Sequence, residues 1–173
     1  MKIAIIGKIC SGKSTCAEYL RDKYDFKIHS FGAPVKKYAR EIFNEKLKNR
    51  KLIQEFAQKV KEIDNDVWVN YLLNDININD NIVIDDLRFP NEYDALKKNG
   101  FIIIKLLISK EFQEKRIKIT YPENFDIHLN RLNDISESFT NNLEEDYLFT
   151  VTKETENSLQ SFIDNLISKL IAK

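Results

Sequence analysis

Gly7-Lys8-Ile9-Cys10-Ser11-Gly12-Lys13-Ser14-Thr15 lies between two segments of different periodicity. Before it, Lys2-Ile3-Ala4-Ile5-Ile6 is a short, nearly continuous apolar run that reads as a buried strand. After it, Cys16, Ala17, Tyr19 and Leu20 recur at helical spacing and predict a helix over residues 13–23. A strand, a loop bounded by glycines and a helix form the context in which such a loop closes on an anion. Gly7 and Gly12 permit backbone that a Cβ would obstruct. The loop amides and the positive end of the helix then converge on phosphate oxygens. The pattern assigns Lys13 to the β- and γ-phosphates of a nucleoside triphosphate and the Ser14 hydroxyl to Mg²⁺. Gly7, Lys8, Ser11, Gly12, Lys13, Ser14 and Thr15 are thus the candidate ATP-binding residues. The plain alternative is a glycine turn before an ordinary helix.

Bulk composition narrows the rest. A length of 173 residues fits one domain, 1–173, with a real core. The 27 basic and 27 acidic residues balance, so no basic field points to nucleic acid as a partner. The longest apolar run, residues 101–108, is broken by Lys105 and falls short of the ~20 residues that cross a bilayer. The chain enters its first strand without a secretory signal pattern. Cys10 and Cys16 make neither a disulfide framework nor a zinc pattern, so the expected setting is reducing and cytoplasmic. Heavy use of Ile, Asn and Lys over Arg suggests an AT-rich genome more than a function.

Strands are expected at 2–6, 26–30, 81–85, 101–107 and 147–151, and helices at 13–23, 34–44, 51–61, 68–74, 91–99, 110–119 and 156–172. This alternation predicts a three-layer α/β P-loop NTPase fold, with a mostly parallel five-stranded sheet and helices on both faces. In the last helix Leu159, Phe162, Ile163, Leu166, Ile167 and Leu170 form the stripe that should pack on the sheet. Residues 121–142 are polar and long for a structureless loop, which favours a functional lid.

Ile82-Val83-Ile84-Asp85-Asp86-Leu87-Arg88-Phe89-Pro90-Asn91-Glu92 is the second dense segment. An apolar strand ending in carboxylates suits a Walker B position, where an acid holds Mg²⁺ or its water. Asp86 is the expected metal partner beside Ser14, with Asp85 as the substitute. Arg88 adds a permanent cation with a bidentate fork at the same sheet edge. The other reading makes the acids a helix cap and Arg88 a surface residue.

In these motifs the chain resembles the phage-type deoxynucleoside monophosphate kinases of the P-loop nucleotide kinase superfamily. The resemblance runs to about Thr150. It comprises the P-loop, Ser30-Phe31-Gly32-Ala33-Pro34-Val35-Lys36, Arg50 through Gln54, Asp66-Val67-Trp68-Val69, the Asp86-to-Glu92 block, and Ser136-Glu137. The family often has Ala-Asp where this chain has Gly32-Ala33, a Gly-Thr-Glu…Arg pattern where it has Ala57-Gln58-Lys59…Lys61, and histidine at Asp134. The resemblance implies ATP with Mg²⁺ as donor and a (deoxy)nucleoside monophosphate as acceptor. It implies an acceptor-binding insertion at about 31–75 and a lid at about 110–140. The cytoplasm would be a host's if the source is viral, and a homodimer is left open.

Phosphoryl transfer relies on positioning and charge neutralisation, and the chain has only six arginines: Arg21, Arg40, Arg50, Arg88, Arg116 and Arg131. By the resemblance Arg116 and Arg131 clamp the group in flight; otherwise they are solvated lid charges. Lys36 and Arg40, four apart, could meet one phosphate together or form a solvated helix face. Arg50 falls in the same insertion, and Gln54 could read a base edge. Trp68 either stacks on a base or fills the core with Val67, Val69 and Leu72. Glu92 could hold an acceptor hydroxyl or an arginine, or simply favour a helix's first turn; Glu137 could bind an arginine or simply cap a helix. Rival readings are a kinase for another phosphorylated small molecule, of phosphomevalonate or dephospho-coenzyme A type, and a non-catalytic nucleotide-binding module. Against a guanine switch, no Asn-Lys-x-Asp occurs, and Asp85-Asp86-Leu87-Arg88 ends in arginine where the Asp-x-x-Gly of a switch has glycine.

Overall fold

The computed structural model describes residues 1–44, 49–130, 132, 139–140, 142–155 and 158–172. Five strands, β1 (Lys2–Gly7), β2 (Lys27–His29), β3 (Ile82–Leu87), β4 (Ile102–Ile108) and β5 (Tyr147–Val151), form one sheet in the order β2-β3-β1-β4-β5. All four pairings are parallel. Such a sheet is stable only with both faces covered, and the apolar character of β1 and β3 reflects this.

One face is covered by α1 (Lys13–Tyr24) and α8 (Leu159–Ile171). Ile3, Ile5, Val83, Ile104 and Leu106 pack there against Cys16, Ala17 and Leu20 of α1 and against Leu159, Ile163, Leu166 and Ile167 of α8. On the other face Ala4, Ile6, Ile82, Ile84, Leu87 and Ile103 meet Val69 and Leu72 of α4 (Val67–Asp75) and Leu96 of α5 (Pro90–Lys98). Each large side chain so buried contributes about 1.5–3 kcal/mol. Two further helices, α2 (Gly32–Phe43) and α3 (Arg50–Ile63), fill the chain between β2 and β3 together with α4. Asn49 caps α3 by accepting from the Leu52 amide at 3.1 Å.

The chain leaves the central β1 for the edge at β2, returns through β3, and crosses over β1 to β4. That reversal opens a crevice at the carboxyl ends of β1 and β3, where ligands bind in open α/β sheets. Two expectations change here. The third strand does not end at its acids but runs on to Leu87. The polar segment after α6 (Lys110–Thr120) is not a plain loop: it continues as a 3₁₀ turn, Pro122–Asn124, and a short helix α7, Phe125–Asn130. Pro122 favours such a turn start, and Tyr121 stacks on His128 with ring centres 3.8 Å apart and planes 8° from parallel. Among the described residues no helix is long and apolar enough to cross a membrane.

A polar clasp ties α8 to α1 beneath the crevice. The Asp164 carboxylate accepts from Tyr24 at 2.6 Å, from Lys23 at 2.8 Å and from Tyr19 at 2.9 Å. These donors, Lys23 first, hold its carboxyl down at about 2 instead of 3.8. A depressed acid contributes stability above its unfolded value and loses it as pH falls through the folded one. Asp164→Asn should therefore lower Tm at pH 7 by no more than about 2–4 °C, since the pair is solvent-screened. In thermal melts the gap to wild type should close between pH 4 and pH 2.

Candidate active site

Gly7 ends β1 buried, and a Cβ there would run into Ser11 Oγ and lie 3.1 Å from the Leu106 carbonyl. Close packing, more than an unusual φ, is what requires glycine at this position. Gly12 differs, with a φ of 97° immediately before α1. Cys10 also adopts a left-handed φ of 61°, a conformation that costs a residue with a side chain about 1–2 kcal/mol. The loop is held in this shape from two sides. Lys13 Nζ donates to the carbonyls of Gly7 at 2.6 Å and Lys8 at 2.9 Å. Gln113, buried on α6, donates through Nε2 to the Ile9 carbonyl at 2.9 Å. Ser11 Oγ is buried, and no described residue partners it.

The loop borders a cleft of about 490 Å³. Ser11, Gly12, Lys13, Ser14 and Thr15 form one wall, Asp85, Asp86 and Arg88 another, and Lys36, Arg116 and Tyr121 reach it from α2, α6 and the turn beyond. Gly7 and Lys8 lie behind the loop and do not line the cleft. Ser14 and Thr15 are exposed at the start of α1.

β3 carries a bulge at this edge. Ala4 of β1 faces Ile84, but Ile6 faces Leu87, so Asp85 and Asp86 together oppose Ile5. A bulge re-aims side chains, and here it separates the two acids. Burial raises the carboxyl pKa of Asp85, and Lys13 and Lys36 pull it back down, which places this acid on the P-loop side. Asp86 instead accepts from the amides of Phe31 at 2.8 Å and Gly32 at 3.0 Å, at the first turn of α2. Burial raises its pKa too, with those amides opposing. The substitute acid of the sequence reading is thus the one facing the loop lysine, while the first choice, Asp86, caps a helix. An all-oxygen set of Ser14 and Asp85 suits Mg²⁺, which keeps several waters and needs few protein ligands.

A second cavity of about 170 Å³ adjoins the cleft, and Asp86 and Arg88 line both. Its walls are Phe31, Val35, Ala57, Trp68 and Phe89, with Lys61 and Glu92 as polar members. Lys61 Nζ sits 4.1 Å from the centre of the Phe89 ring, within cation–π range. Lys61 and Phe89 also border a third space of about 380 Å³, where Gln58, Asn65 and Asn91 bring amides. Trp68 is 5% exposed, packs on Phe56 and donates from Nε1 to the Ala57 carbonyl at 3.3 Å, and it also borders the cavity. Glu92, 4% exposed, accepts from the Arg88 and Phe89 amides at 3.0 and 3.1 Å. Burial pushes its carboxyl up to about 7, against the pull of those amides.

Arg40, Arg50 and Gln54 are exposed and line none of these three spaces. Arg40 is a full turn beyond Lys36, farther from the sheet edge. The cavity meets α3 at Ala57 and Lys61, three and seven residues past Gln54. Arg116 reaches the cleft with its guanidinium carbon 5.9 Å from the Phe112 ring centre. Arg131 and Glu137 lie outside the described residues. The sequence reading missed Gln113, whose partner is 104 positions away, and Lys61, although Lys61 stands where the resembled family carries arginine.

These features define a P-loop protein, with the cleft at the P-loop and a separate cavity beside it. A family model described as an AAA domain matches residues 3–134, and the chain belongs to that family. No curated protein matches it in sequence. Among solved structures it is similar to shikimate kinase from Acinetobacter baumannii in complex with shikimate, at 17% identity and TM-score 0.61 over 99% of this chain and 95% of that one. Dephospho-CoA kinase from Campylobacter jejuni is similar at 20% identity and TM-score 0.59, over 98% of each chain. The YorR protein of Bacillus subtilis, solved in complex with phosphorylated GDP, aligns at 14% identity and TM-score 0.52, over 100% of this chain and 99% of that one. At these identities the likeness is one of fold: the α/β P-loop kinase fold.

Gln113→Ala removes a buried hydrogen bond that braces the loop, worth roughly 0.5–1.5 kcal/mol, and leaves a void. ATP affinity measured by calorimetry should fall about tenfold while the protein stays folded; an unchanged affinity would show that the loop holds its shape without this brace.

Proposed function

We propose that this protein is an ATP-dependent kinase that phosphorylates a nucleoside monophosphate, with deoxynucleotides as the expected acceptors. The observation that carries the reading is the pair of spaces joined at Arg88: a cationic P-loop cleft and an aromatic-walled cavity that opens toward amides. A planar base suits walls of Phe31, Phe89 and Trp68, and the Gln58, Asn65 and Asn91 amides suit its polar edge. An isoprenoid phosphate would call for a smaller, more cationic pocket. The complex of the structurally similar YorR protein with phosphorylated GDP is in keeping with a nucleotide acceptor.

In this reading ATP lies in the cleft with its β- and γ-phosphates on the loop amides and Lys13. Ser14 and Asp85 would hold Mg²⁺, which would supply neutralisation of phosphate charge. An oxygen of the acceptor phosphate attacks the γ-phosphorus, the bond to the β,γ-bridging oxygen breaks, and ADP leaves with that electron pair. Arg88, bordering both spaces, spans the acceptor phosphate and the group in flight, while Lys61 and Lys36 attract the acceptor and Arg116 closes from the lid side. Charge shared over the equatorial oxygens in the transition state is what these cations stabilise.

ADP release should be measured with dAMP, dCMP, dGMP, dTMP, the four ribonucleotides, shikimate, phosphomevalonate and dephospho-coenzyme A. Turnover is expected with one or more nucleoside monophosphates and should vanish in excess EDTA. Turnover confined to a non-nucleotide acceptor would overturn the assignment. With the active acceptor, Arg88→Lys should cut kcat at least ~10²-fold, because a point charge does not replace a bidentate fork. ATP affinity should stay within a few-fold of wild type. A near-normal kcat would remove Arg88 from this role.

A further inference from the structure

Arg88 and Phe89 form the whole link between the end of β3 and the start of α5. Both of their amides end on one atom, Glu92 Oε2, at 3.0 and 3.1 Å. Phe89 is the residue before α5 and Glu92 the third inside it, so the bond to Phe89 is half of a capping box. The reciprocal half is missing, because phenylalanine has no side-chain acceptor. Capping alone asks for one bond, to Phe89; the second, to Arg88, fixes the main chain of the residue that divides the cleft from the cavity. We propose that Glu92 is a positioning residue: its carboxylate clamps the Arg88–Phe89 link and thereby sets where the Arg88 guanidinium stands, without itself reacting. This rests on the kinase reading above for its effect on turnover, but not for its effect on the link.

The surroundings make the clamp sensitive to pH. Asp86, two residues before Arg88, adds negative charge beside Glu92, and Lys61 of α3 offsets it. Arg88 itself borders the same cavity. Asp66, the residue before α4, accepts from the Asn91 side chain at 2.8 Å. The Glu92 carboxyl titrates near 7, up from 4.5, chiefly because it is buried. An ionised carboxylate is the stronger acceptor for an amide, so the clamp is full above neutrality and loosens as pH falls through 7. Fold stability runs the other way. The folded state binds the extra proton between pH 4.5 and 7, so this group's contribution to stability falls as pH rises across that range. Turnover and stability moving in opposite directions over one titration is a signature that plain helix capping does not produce.

The test uses the full-length ¹⁵N-labelled protein, wild type, Glu92→Gln and Glu92→Ala. In wild type the amide resonances of Arg88 and Phe89 should titrate with a midpoint near 7, and in Glu92→Gln they should not. With the acceptor found active in the panel, wild-type kcat should lose its rate below that midpoint. Glu92→Gln should be flat with pH at roughly 5-fold below the wild-type plateau, having kept an acceptor without its charge. Glu92→Ala should fall roughly 50-fold in kcat, as two buried amides lose their partner, and its Arg88 Nε–H resonance should shift or broaden. ATP affinity should remain within about threefold in both. Amides that do not titrate overturn the proposal, whether or not any acceptor is phosphorylated. So does an acid limb of kcat that persists in Glu92→Gln, which would leave Glu92 a structural cap. If no acceptor turns over, the kinase reading fails, and the resonances still decide the clamp: an Arg88 Nε–H signal unmoved in Glu92→Ala overturns it.

Discussion

Asp86 ties the sheet to the helices beside it. Its two oxygens accept from the Phe31 and Gly32 amides, groups at the start of α2 that the helix itself leaves unsatisfied. Negative charge at a helix N-terminus is favourable, and the two bonds offset part of the cost of burying the carboxylate. The bond pair also has a geometric effect. It fixes α2 against the end of β3, so that Phe31 and Val35 line one side of a cavity whose other side is Phe89 and Glu92. The bulge that turns Asp86 this way leaves Asp85 on the opposite side, beside Lys13. One extra residue in β3 thus divides the strand end between a structural task and one facing the P-loop.

What could be read from the sequence was what is local. The P-loop is contiguous, and its glycines, lysine and serine take their places through backbone geometry within a few residues. The strands and helices were likewise visible in period, because each apolar stripe belongs to one element. The division of labour between Asp85 and Asp86 was not visible, since it depends on the pairing of Ala4 with Ile84 and of Ile6 with Leu87 across two strands. The lining of the cavity beside the cleft was not legible for a similar reason. Helical spacing relates Lys36 to Arg40, but only the packing of α3 on α4 decides that Ala57 and Lys61, and not Arg50 and Gln54, border the cavity. The Gln113–Ile9 bond joins parts of the chain with no shared pattern.

The chemistry proposed for this site follows from the spaces that this frame leaves. A phosphoryl group moves between two anions that repel each other, so a protein accelerates the step by holding both in line and spreading cations along the path. Lys13, Lys36, Arg88 and Arg116 all border the cleft, and Arg88 is shared with the adjoining cavity. Facing acids are few, and both β3 carboxylates have defined surroundings: Asp85 beside two lysines, Asp86 on two amides. The central claim is that the cleft and the cavity hold the two ends of one reaction.

Binding of a bisubstrate compound, adenosine and thymidine joined 5′ to 5′ through five phosphates, tests that claim most directly. A molecule that fills both spaces at once gains from linkage, and calorimetry should show it binding on the order of 10²-fold more tightly than ATP, with ATP and dTMP each displacing it. Affinity no greater than that of ATP alone would mean that the two spaces do not serve one nucleotide pair.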